Sequence, residues 1–394
     1  MINERARIET THKQVTLEGR LIHDARPYRI TLQDGTISRL ELLQEDGRDD
    51  LPWIGPGLID LQINGYAGID FNTASLSAQD VTEVTARLWK QGVTSFFPTI
   101  ITNSDENIRK MTAIIAEACR SDRMVNASIP GLHLEGPFLS KADGARGAHD
   151  AQYVQKPDWE LFQRWQESAD GRIKIITLSP EWDDAPEFIS KCVDNDVMVS
   201  IGHTSASPQQ IRAAVAAGAR MSTHLGNGAH LTLPRHPNYI WEQLASDELT
   251  ASIIADGFHL PESVLKVFLR AKHDRIVLVS DAVYLSGLQP GCYETHIGGK
   301  VVLTPEGKLH LASNPNLLAG SAQLLRAGIH HLVNSGLCTI AEAWQMASER
   351  PASLLGLEKL GRIEAGAEAD LVVFTQEKNS LQIQQVYKKG HLQL

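Results

Sequence analysis

Cysteine is scarce in this chain: four in 394 residues, at 119, 192, 292 and 338, with no Cys-x-x-Cys pair. That scatter argues against a thiolate metal site and against a disulfide framework. Long apolar runs are missing too, and nothing approaches the roughly 20 residues a membrane-spanning helix needs. The opening Met1-Ile2-Asn3-Glu4-Arg5 is too charged for a secretory signal, so a cytoplasmic location is expected. Excess positive charge is also lacking. Lys and Arg number 37 against 47 Asp and Glu, a net charge of −10, which speaks against a nucleic-acid or anionic-membrane surface. It does not speak against a small anionic substrate, since one local arginine can bind that.

What is present is an ordinary globular composition, 42% hydrophobic and 21% charged, long enough for one large barrel with a small accessory layer. Strand-like segments occupy residues 57–63, 94–100, 129–135, 173–178, 197–203, 220–224, 250–255 and 276–281. Helical punctuation separates them. Ser207-Pro208 supplies an N-cap and a first helical residue, Ile211 and Val215 repeat at i+4, and Gly218 closes that helix. Val81, Val84 and Leu88 form a stripe that stops at Gly92. Eight such units predict an α/β fold, a (β/α)8 TIM-type barrel over residues 55–360, with its chemistry at the C-terminal strand ends. Residues 1–54 and 361–394 read as short strands and turns, Asp34-Gly35 being a hairpin signal. Neither end has the apolar residues for its own core, so the two are expected to build one small β-sandwich jointly.

The chemistry is written at the strand ends. The run Leu132-His133-Leu134 closes on Glu135 and then on Gly136-Pro137, the pattern of a buried parallel strand whose last side chain emerges at a loop. Later strands deliver His203, His224 and Asp281 in the same way. A lone strand-end histidine is commonly structural; joint placement at several ends defines a site. Glu135, His203 and His224 form a metal set that leaves a coordination position open, as in catalytic zinc sites. Zinc suits these donors first, and iron(II), cobalt and manganese are compatible. Asp281 is the candidate general base and acid. His259, in Asp256-Gly257-Phe258-His259, is placed to polarise a scissile carbonyl or hold a substrate hydroxyl. The first strand carries Gln62-Ile63-Asn64, and neutral amides are poor ligands for such ions, so one metal ion per chain is expected.

Further segments carry a resemblance: Pro56-Gly57-Leu58-Ile59-Asp60, Asn64-Gly65, His133-Leu134-Glu135-Gly136-Pro137, Gly147-Ala148-His149, Gly202-His203, Thr223-His224-Leu225, Ser280-Asp281-Ala282, Ala319-Gly320-Ser321 and Pro351-Ala352. In these the chain resembles, nearly end to end, the N-acetylglucosamine-6-phosphate deacetylase family of the amidohydrolase superfamily. The His-Leu-Glu-Gly-Pro motif with the spaced His, His and Asp is the specific part. The resemblance implies a barrel with a small β-sandwich and hydrolysis of the acetyl amide of an amino-sugar phosphate. It also implies Glu135, His203 and His224 as metal ligands and Asp281 as the acid/base. Superfamily barrels usually carry His-x-His on the first strand; Gln62-Ile63-Asn64 matches members with a single metal.

Carried over residue by residue, the family's substrate contacts fall on Ala148, His149, Asn227, Gly228, His259 and Leu318, the last in the loop after the eighth strand. Arg235 matches an arginine that in family dimers reaches the sugar phosphate of the neighbouring subunit, so a homodimer is implied. Two departures lie on the substrate side. The family's His-Leu-Phe/Tyr-Asn-Ala-Met is here His224-Leu225-Gly226-Asn227-Gly228-Ala229-His230, and the loop over residues 140–146 is longer than usual. Two other functions use the same residues: an amidohydrolase for another N-acylated sugar or cyclic amide, and a catalytically silent sugar-phosphate-binding protein.

Overall fold

The computed structural model describes residues 14–44, 50–296, 299–377 and 380–394; the opening residues read above for a leader lie outside them. Eight parallel strands run β1 (Leu58–Ile63), β2 (Val93–Ile101), β3 (Leu132–Glu135), β4 (Ile173–Leu178), β5 (Met198–Ile201), β6 (Met221–Ser222), β7 (Thr250–Ile253) and β8 (Ile276–Leu278). They pair in chain order as one eight-stranded sheet. The ring closes between β8 and β1 through a parallel bridge, Ile63 to Ala282, and the Asp281 N–H donates to the Gln62 carbonyl at 2.9 Å. Every residue of β1 is buried, as expected of parallel strands covered on both faces. Ile59 and Leu61 of β1, Phe97 of β2, Ile175 of β4, Met221 of β6 and Val277 of β8 meet in one buried cluster. Residues from around the ring can touch only across its interior, so the barrel is filled.

The helices follow their capping signals. Ser77 caps Ala78–Trp89 in a capping box with Asp80, and Val81, Val84 and Leu88 are buried beside Thr85. Ser207 caps Pro208–Ala216 with Gln210, but the buried pair there is Ile211 and Ala214. Val215 is only half-buried, because i+3 rather than i+4 faces the sheet at this helix.

The chain ends do combine. A seven-stranded sheet joins Val15–Leu21, Pro27–Gln33, Thr36–Leu42 and Trp53–Pro56 with Leu371–Glu377, Ser380–Lys388 and His391–Leu392. Leu21, Ile30, Leu32, Ile37, Leu371 and Val373 share its core. Asp34 and Gly35 both take positive φ, 53° and 80°, the signature of a tight two-residue hairpin turn. One element departs from expectation. After β8 a four-stranded antiparallel sheet spans Gly291–Thr295, Gly299–Leu303, Leu309–Leu311 and Asn314–Leu318. Leu318 therefore ends a strand instead of lying in a loop. No helix among the described residues is long and apolar enough to cross a membrane.

Candidate active site

The predicted strand ends converge on one mouth of the barrel. Glu135 ends β3 and is followed by Gly136 at φ 83°, where an added Cβ would stand 2.2 Å from Thr102 Oγ1. Only glycine fits there. His203, His224 and Asp281 lie just beyond β5, β6 and β8, and all three have positive φ, 47°, 29° and 48°. Side-chain-bearing residues adopt that backbone rarely, and such strain concentrates at functional sites.

Glu135 Oε1 is 3.1 Å from both His203 Nε2 and His224 Nε2, and the two nitrogens are 3.1 Å apart. The proton count in this buried cluster is informative. His203 Nδ1 lies 3.0 Å from the Ala145 carbonyl, which only accepts, so Nδ1 carries hydrogen and Nε2 is the ring atom turned to Glu135. His149 repeats the arrangement. Its Nδ1 donates to Thr102 Oγ1 at 2.9 Å, that hydroxyl donates to the Glu135 carbonyl at 3.4 Å, and His149 Nε2 faces His203 Nε2 at 3.3 Å. The Glu135 carboxylate and three imidazole Nε2 atoms thus converge on one point, an arrangement that a cation between them would stabilise.

The electrostatics agree. Burial pushes Glu135 up, but His203 and His224 outweigh it and hold the carboxyl well below its ordinary 4.5. Burial lowers His224, yet Glu135 outweighs it and holds the imidazole above 6.5. His149 is pushed down to about 3, by burial first and the charge of His203 second, and stays neutral. These donors fit a divalent ion. Glu135, His149 and His203 also bring one ligand atom each within 4.8 Å of one another. His224 makes the tighter set, since it meets both Glu135 and His203, and His149 flanks it.

Asp281 stands beside this cluster. Its Oδ1 accepts from Asn64 Nδ2 at 2.7 Å and from Gln62 Nε2 at 3.2 Å, and Gln62 Nε2 also donates to Glu135 Oε1 at 3.0 Å. Burial, then the charge of Glu135, pushes the Asp281 carboxyl up to about 6, against the pull of His224 and His259. His259 is fixed through Nδ1, 2.8 Å from Asp256 Oδ2. The other Asp256 oxygen accepts the N–H groups of Phe258 and His259 at 2.8 and 2.9 Å. Burial raises the Asp256 carboxyl, but these bonds outweigh it and keep it below 3.8. His133, inside the most specific motif, takes another role. It reaches the Leu61 carbonyl at 3.0 Å and Thr177 Oγ1 at 2.7 Å, and burial holds it down to about 4. It ties β3 to β1 and β4.

The predicted substrate residues divide. Asn227 donates its N–H to the His224 carbonyl at 2.9 Å, and its buried Nδ2 has no partner among the described residues. Gly228 lies against His203, where an added Cβ would stand 2.6 Å from Cε1. Ala148 is exposed and His149 buried. Arg235 is exposed and Leu318 half-exposed, and the structure bonds neither to the cluster. Sequence reasoning missed the supporting roles of Asp256, Thr102 and the Ala145 carbonyl. The Asp-Gly-x-His spacing of residues 256–259 was the available signal for the first; the other two depend on loops that no local pattern reveals.

A parallel barrel with a buried Glu-His-His cluster and a carboxylate at its C-terminal mouth describes a metal-dependent hydrolase of the amidohydrolase class. The amidohydrolase family model matches residues 53–392. An N-acetylglucosamine-6-phosphate deacetylase of Bacillus subtilis is 35% identical, over 82% of this chain and 80% of its own. One of Lysinibacillus sphaericus is 31% identical over 93% of each. The crystal structure of the Pasteurella multocida N-acetylglucosamine-6-phosphate deacetylase superposes with a TM-score of 0.84 at 26% identity, covering 96% of this chain and 99% of that one. The chain belongs to the amidohydrolase family and, within it, to the N-acetylglucosamine-6-phosphate deacetylases.

Proposed function

We propose that this chain hydrolyses the N-acetyl amide of N-acetyl-D-glucosamine 6-phosphate, yielding D-glucosamine 6-phosphate and acetate. The observation that carries this reading is the buried cluster of Glu135, His203 and His224 with Asp281 tethered beside it through Gln62. The names of the full-length relatives supply the substrate class. Glu135, His203 and His224 would hold one divalent ion per chain, zinc by the nature of the donors. Such an ion supplies Lewis-acid polarisation of the acetyl carbonyl and acidifies water.

The remaining work belongs to the chain. Asp281 takes a proton from the attacking water as its oxygen bonds to the acetyl carbon. It then passes that proton to the amide nitrogen as the C–N bond breaks, so the amine leaves neutral. A carboxyl held at about 6 can do both near neutral pH. His259, with Nδ1 fixed by Asp256, turns Nε2 to the carbonyl oxygen or a sugar hydroxyl. Ala148, His149, Asn227, Gly228 and Leu318 line the sugar side. Arg235 is given to the phosphate in the neighbouring subunit of a homodimer. Its exposure, with exposed Leu231 and Trp241 nearby in sequence as apolar anchors, suits that role. The four free cysteines suit a reducing compartment, and we place the enzyme in the cytoplasm.

The test is acetate release from phosphorylated and unphosphorylated N-acetylglucosamine by the parent chain and Arg235→Ala. The variant is expected to lose about 1.5–3 kcal/mol of transition-state stabilisation on the phosphorylated sugar, the range for a hydrogen bond to a charged group. Its activity on the unphosphorylated sugar should hold. Equal losses on both would assign Arg235 to the fold, and no turnover of either by the parent would remove the substrate assignment.

A further inference from the structure

Gln62 and Asn64 at the rim of β1 carry no proton in the proposed hydrolysis, yet the structure is specific about them. Gln62 Nε2 lies 3.0 Å from Glu135 Oε1 and 3.2 Å from Asp281 Oδ1, and Asn64 Nδ2 lies 2.7 Å from the same Asp281 oxygen. Ionised carboxylates only accept, so both NH₂ groups must face them and both amide oxygens must face away. Those oxygens, Gln62 Oε1 and Asn64 Oδ1, are buried without a partner among the described residues. The two carboxylates thus set the orientation of both amides.

The backbone is arranged to the same end. The pairing of β1 with β2 slips between Asp60 and Ile63, a bulge of the kind that re-aims a side chain beside a site. Asp60 Oδ1 accepts the N–H groups of Gln62 at 3.3 Å and Ser280 at 3.1 Å, and the Asp281 N–H meets the Gln62 carbonyl at 2.9 Å. The rim of β1 therefore holds Asp281 by both backbone and carboxylate, in a left-handed conformation at φ 48°.

We propose that Gln62 and Asn64 are positioning residues that anchor the Asp281 carboxylate by Oδ1 alone and leave Oδ2 as the oxygen that carries the proton. Among the described residues the hydrogen bonds to this carboxylate all end on Oδ1. Gln62 further fixes the spacing between Glu135 and Asp281 by bonding both through one nitrogen. This inference rests on the reading of Asp281 as the proton carrier.

The experiment is a double-mutant cycle on N-acetylglucosamine 6-phosphate, with metal content measured for each variant. Asn64→Ala is expected to lower kcat about 10- to 100-fold, with little change in KM or in bound metal. Added to Asp281→Asn it should lower kcat no further, since nothing remains to be positioned. Asn64→Ser, which keeps a donor, should recover part of the loss. Gln62→Leu should lower kcat and metal retention together, because Gln62 also bonds Glu135. Losses that multiply in the double variant overturn the proposal, as does near-normal kcat in Asn64→Ala. Should Asn64→Ala not fold, Asn64→Ser and Gln62→Leu enter the same cycle. Failure of the underlying reading is seen separately, as near-normal kcat in Asp281→Asn alone.

Discussion

At Glu135 one carboxylate oxygen is met by two imidazole nitrogens at 3.1 Å, with a third imidazole behind them. Their titration sets how the metal-free protein responds to pH. The Glu135 carboxyl is held below 4.5, so its contribution is present above that value and is lost as pH falls through its lower folded pKa. His224 is held above 6.5, so its contribution is full below that value and is lost as pH rises through its higher folded pKa. The metal-free cluster is therefore most stabilising between 4.5 and 6.5. As pH rises through that higher folded pKa, the His224 proton leaves and no longer competes with a divalent ion. The rise in Tm on adding metal should grow from about pH 5.5 to about pH 8, by the mass-action stabilisation that a ligand of the native state confers. A rise that is the same at both ends would mean these groups are not the ligands. The residues of this cluster were legible in the sequence because each closes an apolar run. Their orientation was not, because it is set by the Ala145 carbonyl and Thr102, which reach the histidines from other segments.

Among the elements, the junction of the terminal sheet with the barrel has a sharp dependence on one ion pair. Lys388, 0% exposed, places Nζ 2.6 Å from Asp370 Oδ2 and 3.4 Å from Ser95 Oγ of β2. Lys388→Met would leave the Asp370 carboxylate buried and unpaired, and should lower stability by about 3–5 kcal/mol. Lys388→Met with Asp370→Leu should recover most of that, as paired apolar replacements of buried ions commonly do. Denaturant unfolding of the three proteins decides it; an unchanged midpoint for Lys388→Met would show that the pair does not hold the junction. The barrel strands and helices could be read from period and capping because their apolar residues recur on one face. The four-stranded sheet after β8 could not. Its core is only Leu285, Val301, Leu303, Leu309 and Ala322, and its short strands, broken by Gly and Pro, resemble loop. Val215 shows a finer limit: the i+4 spacing was visible, but which of two neighbouring positions faces the sheet depends on how the helix lies on it.

For the molecule as a whole, the barrel brings the ends of β3, β5, β6 and β8 together, while strands from residues 15–56 and 371–392 form a separate sheet. The predicted ligands come from three separate strand ends, so an ion there would link loops far apart in sequence. The proposed deacetylase works with one ion held by that cluster. Its most direct test is to strip the metal, add zinc back in measured steps, and follow acetate release from N-acetylglucosamine 6-phosphate. Negligible release is expected without metal, then a rise in proportion to added zinc and a plateau at about one ion per chain. Full activity in the metal-free protein, or a rise that continues to about two ions per chain, would contradict it.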